Sequence, residues 1–230
     1  MKNIAAIFQK QLKDTFKNKT VLIQFLMFPI MSLVMESSIH IEGMPDHFFA
    51  NMFATMYIGM APLTSMAAII SEEKEKNTLR VLLMSNVKSA EYLIGVGSYI
   101  WIACMLGAFI IGIAGNYRGT LLLLFLMIMA VGIVVSLLIG AAIGTLSRNQ
   151  MMATSITVPV MCLFSFLPML SMFNETIEKI AKIAYSQQIN ILINQLEHFK
   201  VGFENAGIIL INIGIAAILF GGAYKKCGLS

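Results

Sequence analysis

Glu72 and Glu73 are adjacent, and Glu75 follows two residues later, in the stretch SEEKEKNTLRVLLMSNVKSAEY at 71–92. Carboxylates this close can serve hydrolysis when a histidine or a metal ion stands beside them. The histidines are His40, His47 and His198, and none falls within an apolar run. Cys104, Cys162 and Cys227 are scattered without metal or redox spacing and read as packing residues. No catalytic residue and no metal site is therefore expected, and the glutamates need another explanation. Lys74, Lys76 and Arg80 lie among them, in a chain of which only 12% is charged.

The surrounding sequence is that of an all-α integral membrane protein. Of its 230 residues, 58% are hydrophobic, and the mean hydropathy is +0.81. Soluble domains are about 45–50% apolar and about 25% charged. A spanning helix needs about 20 mostly apolar residues. Six segments meet that need, at about 20–39, 48–70, 91–114, 120–146, 152–173 and 205–224. Before them, 1–19 carries Ile4, Ile7, Phe8, Leu12 and Phe16 near helical spacing, with Lys10, Lys13 and Lys17 between. That pattern predicts an amphipathic helix lying in the membrane interface. The first long apolar run starts at Val21 and lacks a small-residue cleavage pattern, so no cleavable leader is expected. The whole chain, 1–230, reads as one transmembrane domain.

Lys and Arg set the orientation. With six spans both termini share a side, which holds Lys2, Lys10, Lys13, Lys17, Lys19, Lys74, Lys76, Arg80, Lys88, Arg148, Lys225 and Lys226. The opposite side holds Arg118, Lys179, Lys182 and Lys200. The richer side is expected to be cytoplasmic, in a multi-pass protein of the cell membrane. The net charge of +4 then reflects orientation and not a nucleic-acid partner. The external loops, about 40–47 and 115–119, are short.

Within the fourth span Gly132, Ser136, Gly140 and Gly144 recur every fourth residue. Such a strip lets another helix approach closely, either in the same chain or in a second subunit. The stretch 174–204 is too polar to span and predicts two short amphipathic helices at the outer interface, either dipping into the bilayer or covering the span ends. Glu36, near the outer end of the first span, is a candidate contact for a cationic substrate group or a partner. Gln24, Thr64, Ser65, Thr154, Ser155 and Thr157 could line a path or bond to backbone. The 18 methionines fall largely in or beside the spans, as core packing or as a lining for apolar cargo.

The segment 71–90 predicts a compact cytoplasmic helix. Glu72 and Lys76 are spaced to pair, Leu79, Leu82 and Leu83 give an apolar face, and Ser85 and Asn86 end it. Ser89 and Glu91 can then cap the third span.

ISEEKEKNTLRVLLMSNVKSAEYLIG resembles the first cytoplasmic loop of the ABC-2 type transporter permeases, the transmembrane subunits of ABC exporters. That loop reads E-x-E-x-G-T-L, apolar residues, S-P-V, then E and a Gly-containing helix start. Glu73, Glu75, Thr78, Leu79, Leu82, Leu83, Ser85, Val87 and Glu91 match, while Asn77 stands for Gly and Asn86 for Pro. Both substitutes suit a turn. The six-span plan resembles the family along the whole chain.

The resemblance implies one half of a transport path, paired with a second permease copy or paralogue among the membrane lipids. Residues Glu72, Glu73, Glu75, Thr78, Leu79, Leu82, Leu83 and Ser85 would couple it to a cytoplasmic ABC ATPase subunit. No G-x-x-x-x-G-K-[ST] loop is present, so no cofactor is expected in this chain and ATP with Mg would reside in that partner. The cargo expected is amphipathic: a peptide such as an antimicrobial one, a drug or a lipid-like molecule. The rival readings are a secondary transporter or channel, and a non-transport membrane immunity or scaffold protein.

Overall fold

In a computed structural model of the protein the residues described are 2–17, 19–39, 43, 45–85, 87–196 and 203–227; for Lys2, Lys19, Thr20, Leu83 and Phe203 the backbone alone is described. They form ten helices: α1 (Lys2–Lys17), α2 (Lys19–Ser38), α3 (Phe48–Glu75), α4 (Thr78–Met84), α5 (Ser89–Ala114), α6 (Gly119–Leu146), α7 (Gln150–Ser171), α8 (Glu175–Ala181), α9 (Tyr185–Asn194) and α10 (Phe203–Cys227). Six of them, α2, α3, α5, α6, α7 and α10, are long and apolar enough to cross a membrane. The chain is an all-α, multi-pass membrane protein. His40, and residues 197–202 of the polar stretch including His198 and Lys200, lie outside the described residues.

α3 is the axis of the bundle. Its apolar window is 89% buried within the chain, against 22% for α2 and α7 and 17% for α10. It packs against α2, α5, α6, α7 and α9. Small residues make the approach possible. A Cβ on Gly59 would fall 2.8 Å from backbone atoms of Phe164 and Ser165 on α7. On α6, Gly132 faces Ile58, Gly140 faces Leu63 and Met66, and Gly144 faces Ile70 and Ala67. Ser136, the fourth member of the strip, donates to the Ile58 carbonyl at 2.7 Å. The strip is thus spent inside the chain, on α3.

α1 packs along α5, with Ile7 against Gly95 and Phe8 edge-on to Tyr99. Its buried face is Ile7, Gln11 and Thr15, and the apolar Leu12 and Phe16 point outward. The face expected from hydropathy alone is therefore rotated: tertiary packing claims a stripe that includes two polar residues, and two of the greasy ones are left to the surroundings.

α9 is packed by the rest of the chain. Tyr185, Ser186, Gln187, Gln188, Ile189 and Asn190 are all buried. The Tyr185 hydroxyl lies 2.8 Å from Ser136 Oγ, well inside α6. Asn212 of α10 donates to the Ile183 carbonyl at 2.9 Å. α8 packs on α7, and α9 sits among α3, α6, α7 and α10.

Candidate functional site

The apolar run of α3 stops at Ile70, but the helix continues through the charged residues to Glu75. Successive residues of an α-helix point about 100° apart, so four consecutive charges radiate in four directions. Glu72 accepts from Lys76 one turn later. That hydrogen bond holds the Lys76 pKa above its ordinary value. Glu73 Oε1 accepts from Lys10 Nζ at 2.6 Å and Gln11 Nε2 at 2.7 Å, both on α1. Lys74 Nζ donates to the Thr145 carbonyl at 2.7 Å, in the last turn of α6. Glu75 accepts from the backbone N–H of Gln150 at 2.8 Å, the first residue of α7. The last two are also right in sign: a cation at a helix C-terminus and an anion at an N-terminus.

The segment is therefore a junction and not a solvated loop. One helix end grips α1, α6 and α7 through three neighbouring side chains. Glu73 is only 7% exposed, and the Tyr92 phenol lies beside it. Asn3 and the Lys88 N–H donate to Glu91, at 2.9 and 3.1 Å. α1 is thus tied at two points, to the last turn of α3 and to the first turn of α5.

α3 ends where Asn77 takes a left-handed backbone, φ 56°. Asn tolerates that conformation better than other non-glycine residues. Thr78 Oγ1 donates to the Glu73 carbonyl at 3.1 Å, closing the turn. α4 then holds itself down by Leu79, which is fully buried, and half-buried Leu82. Val81 and Met84 face outward, 66% and 80% exposed. Ser85 ends α4, its hydroxyl donating to the Leu82 carbonyl at 2.7 Å. The Leu83 side chain and Asn86 lie outside the described residues.

Of the eight coupling residues picked from sequence, Glu72, Glu75, Thr78 and Ser85 have local or inter-helix hydrogen bonds, Glu73 is buried on α1, and Leu79 is core. The residues that sequence reasoning missed are Lys10 and Gln11. A signal existed: Gln11 sits four residues after Ile7, on the apolar stripe of α1, where a polar group needs a partner.

Glu36 has a structural task. Its Oε2 accepts from the Ala50 N–H at 3.0 Å, in the first turn of α3. This satisfies one of the N–H groups that a helix start leaves without a partner. We expect Glu36→Ala to cost about 1 kcal/mol and to speed hydrogen exchange at residues 49–51, and Glu36→Gln, which keeps an acceptor, to recover most of the loss.

On the same side, Asn51, Tyr117, Asn190, Asn194 and Thr55 form a chain of side-chain hydrogen bonds from 2.6 to 3.4 Å. It holds α9 to α3. Among the path candidates, Ser65 donates to Gln24 at 3.4 Å, and Thr64, Thr154 and Ser155 bond to carbonyls of their own helices. Thr154 and Ser155 sit on the open face of α7, and Thr157 is buried. His47 starts α3, its ring 4.6 Å from that of Tyr117. Among the described residues no group of three His, Cys, Asp or Glu side chains converges.

No protein-family model matches the chain, and no curated protein matches it.

Proposed function

We propose that the chain is the membrane subunit of an ATP-driven exporter, pairing with a second such subunit and receiving its energy from a separate ATPase chain. Three things support the reading. The 71–92 segment resembles the ABC-2 coupling loop and lies between the second and third spans. The Lys and Arg asymmetry favours a cytoplasmic position for the α4 side. Above all, α4 is a short helix with two outward apolar side chains, Val81 and Met84, anchored on a junction that reaches α1, α6 and α7.

In this reading the ATPase covers Val81 and Met84. Its stroke, on binding ATP and Mg, displaces α4. Thr78 and the Asn77 turn pass the displacement to the end of α3, and Glu73, Lys74 and Glu75 pass it to α1, α6 and α7. The spans move as a set and open a path for an amphipathic cargo. Glu73 acts inside the subunit, as a strut to α1, and not as a docking contact.

The experiment is co-purification of the full chain with candidate ATPase subunits. Wild-type chain should retain one, and Val81→Asp/Met84→Asp should retain at least about tenfold less, since charged residues in an apolar contact lose well over 1.4 kcal/mol. An ATPase held equally well by the double variant sinks the α4 assignment. A cysteine at Met84 that reacts with impermeant reagent from outside the cell sinks the orientation.

A further inference from the structure

A second feature lies on the α4 side. The ends of α3, α6 and α10 and the start of α4 enclose a cavity of about 640 Å³. Lys74, Arg80, Arg148 and Lys226 line it, with Leu79 and Leu146, and no carboxylate among the described residues does. Four cations facing one space repel one another, which a fold does not assemble without a counter-charge.

The acids nearest in sequence are committed elsewhere. Glu72 pairs with Lys76, Glu73 with Lys10, and Glu75 takes the Gln150 N–H. Cations do suit helix C-termini, and Lys74 serves that purpose by donating to the Thr145 carbonyl. Arg80, Arg148 and Lys226 make no ion pair and no side-chain hydrogen bond among the described residues. The other cations of the chain include three in ion pairs: Lys10, Lys76 and Lys182.

The position says what the anion is. Leu146 ends one membrane-length helix and Lys226 lies in the last turn of another, so if those helix ends mark the membrane boundary the cavity falls at the level of lipid headgroups. Leu146 is 38% exposed and offers apolar wall on the membrane side. Basic pockets between spanning helices suit phosphate headgroups. We propose that this cavity binds the phosphate of an anionic phospholipid from the leaflet on the α4 side, with Arg148 and Lys226 as its chief contacts.

The test is native mass spectrometry of the full detergent-purified chain, with any partner that remains bound, titrated with phosphatidylglycerol, phosphatidylcholine or inorganic phosphate. Phosphatidylglycerol should bind well ahead of phosphatidylcholine. Arg148→Gln/Lys226→Gln should weaken it about thirtyfold, from about 1 kcal/mol per cation. Arg118→Gln/Lys179→Gln removes the same charge at the other end and should change it less than about twofold. Equal affinity for the two lipids, or equal loss in the two variants, overturns the proposal. Inorganic phosphate that binds and displaces the lipid overturns the lipid as its occupant. Both substituted side chains are exposed, and the wild-type comparison of the two lipids decides by itself if the variant does not fold.

Discussion

Gly140→Leu is expected to leave no folded protein to purify. A Cβ at this position would stand 2.5 Å from the Leu63 carbonyl oxygen, 3.0 Å from Met66 Cβ and 3.1 Å from Leu63 Cα. Two of those atoms are backbone of α3, which is packed on other sides by α2, α5 and α7 and has nowhere to retreat. A single extra carbon in a tight core costs about 1–3 kcal/mol, which sets the expectation for Gly140→Ala. The rest of a leucine side chain would force α6 off α3 and break the Ser136 bond to Ile58 with it. The control is Gly97→Leu. A Cβ there meets nothing within 4 Å, and the residue borders an apolar cavity of about 230 Å³. Fluorescence-detected gel filtration should show a normal peak for Gly97→Leu and an absent or aggregated one for Gly140→Leu. A normal peak for Gly140→Leu would mean that α6 and α3 are not packed through this strip.

The strip also shows what a sequence can and cannot disclose. Small residues every fourth position announce a close helix contact, because only backbone-to-backbone approach needs them. They carry no address, and nothing in α6 names α3 as the partner. The spans are legible for a similar reason: hydropathy measures the bilayer's demand on a segment, and that demand is local. Where the demand ends, the inference ends. The second span reads as 48–70, yet α3 runs to Glu75, because helix hydrogen bonding continues through charged residues whose side chains find partners. α9 is illegible for the opposite cause. Ser186, Gln187, Gln188 and Asn190 look like a surface helix, yet all four are buried, and two of them meet polar groups on other elements: Gln187 pairs with Ser171 and Asn190 with Thr55. Burial of polar residues depends on partners far away in the chain, which no window of sequence contains.

The charge cluster follows the same logic. Its density is visible at once, and a helix pair Glu72–Lys76 can be read from spacing. The three ties that matter span 63, 71 and 75 residues. They turn what looks like a topology signal into the point where one helix holds three others. A membrane bundle lacks a hydrophobic drive between helices in lipid, so polar ties at the helix ends, together with close packing, do much of the holding.

The tie to α1 can be tested for its sign. Lys10→Met should destabilise the protein by about 3 kcal/mol, and Glu73→Gln by only about 1 kcal/mol, although both remove the same ion pair. The two ends are unequally exposed: the Lys10 side chain is 37% exposed and that of Glu73 9%. Without Glu73 the lysine turns to water, and the glutamine left behind still accepts from Gln11. Without Lys10 the carboxylate stays buried with Gln11 and Tyr92 as its neutral company, and the desolvation it has already suffered is no longer offset. Adding Glu73→Gln to Lys10→Met should therefore restore most of the loss, because the uncompensated charge is gone. Thermal unfolding in detergent measures the three differences, and hydrogen exchange along 2–17 shows whether α1 lifts from α5. Equal losses for the two single variants would mean that Glu73 reaches water, and the strut between α3 and α1 would lose its physical basis.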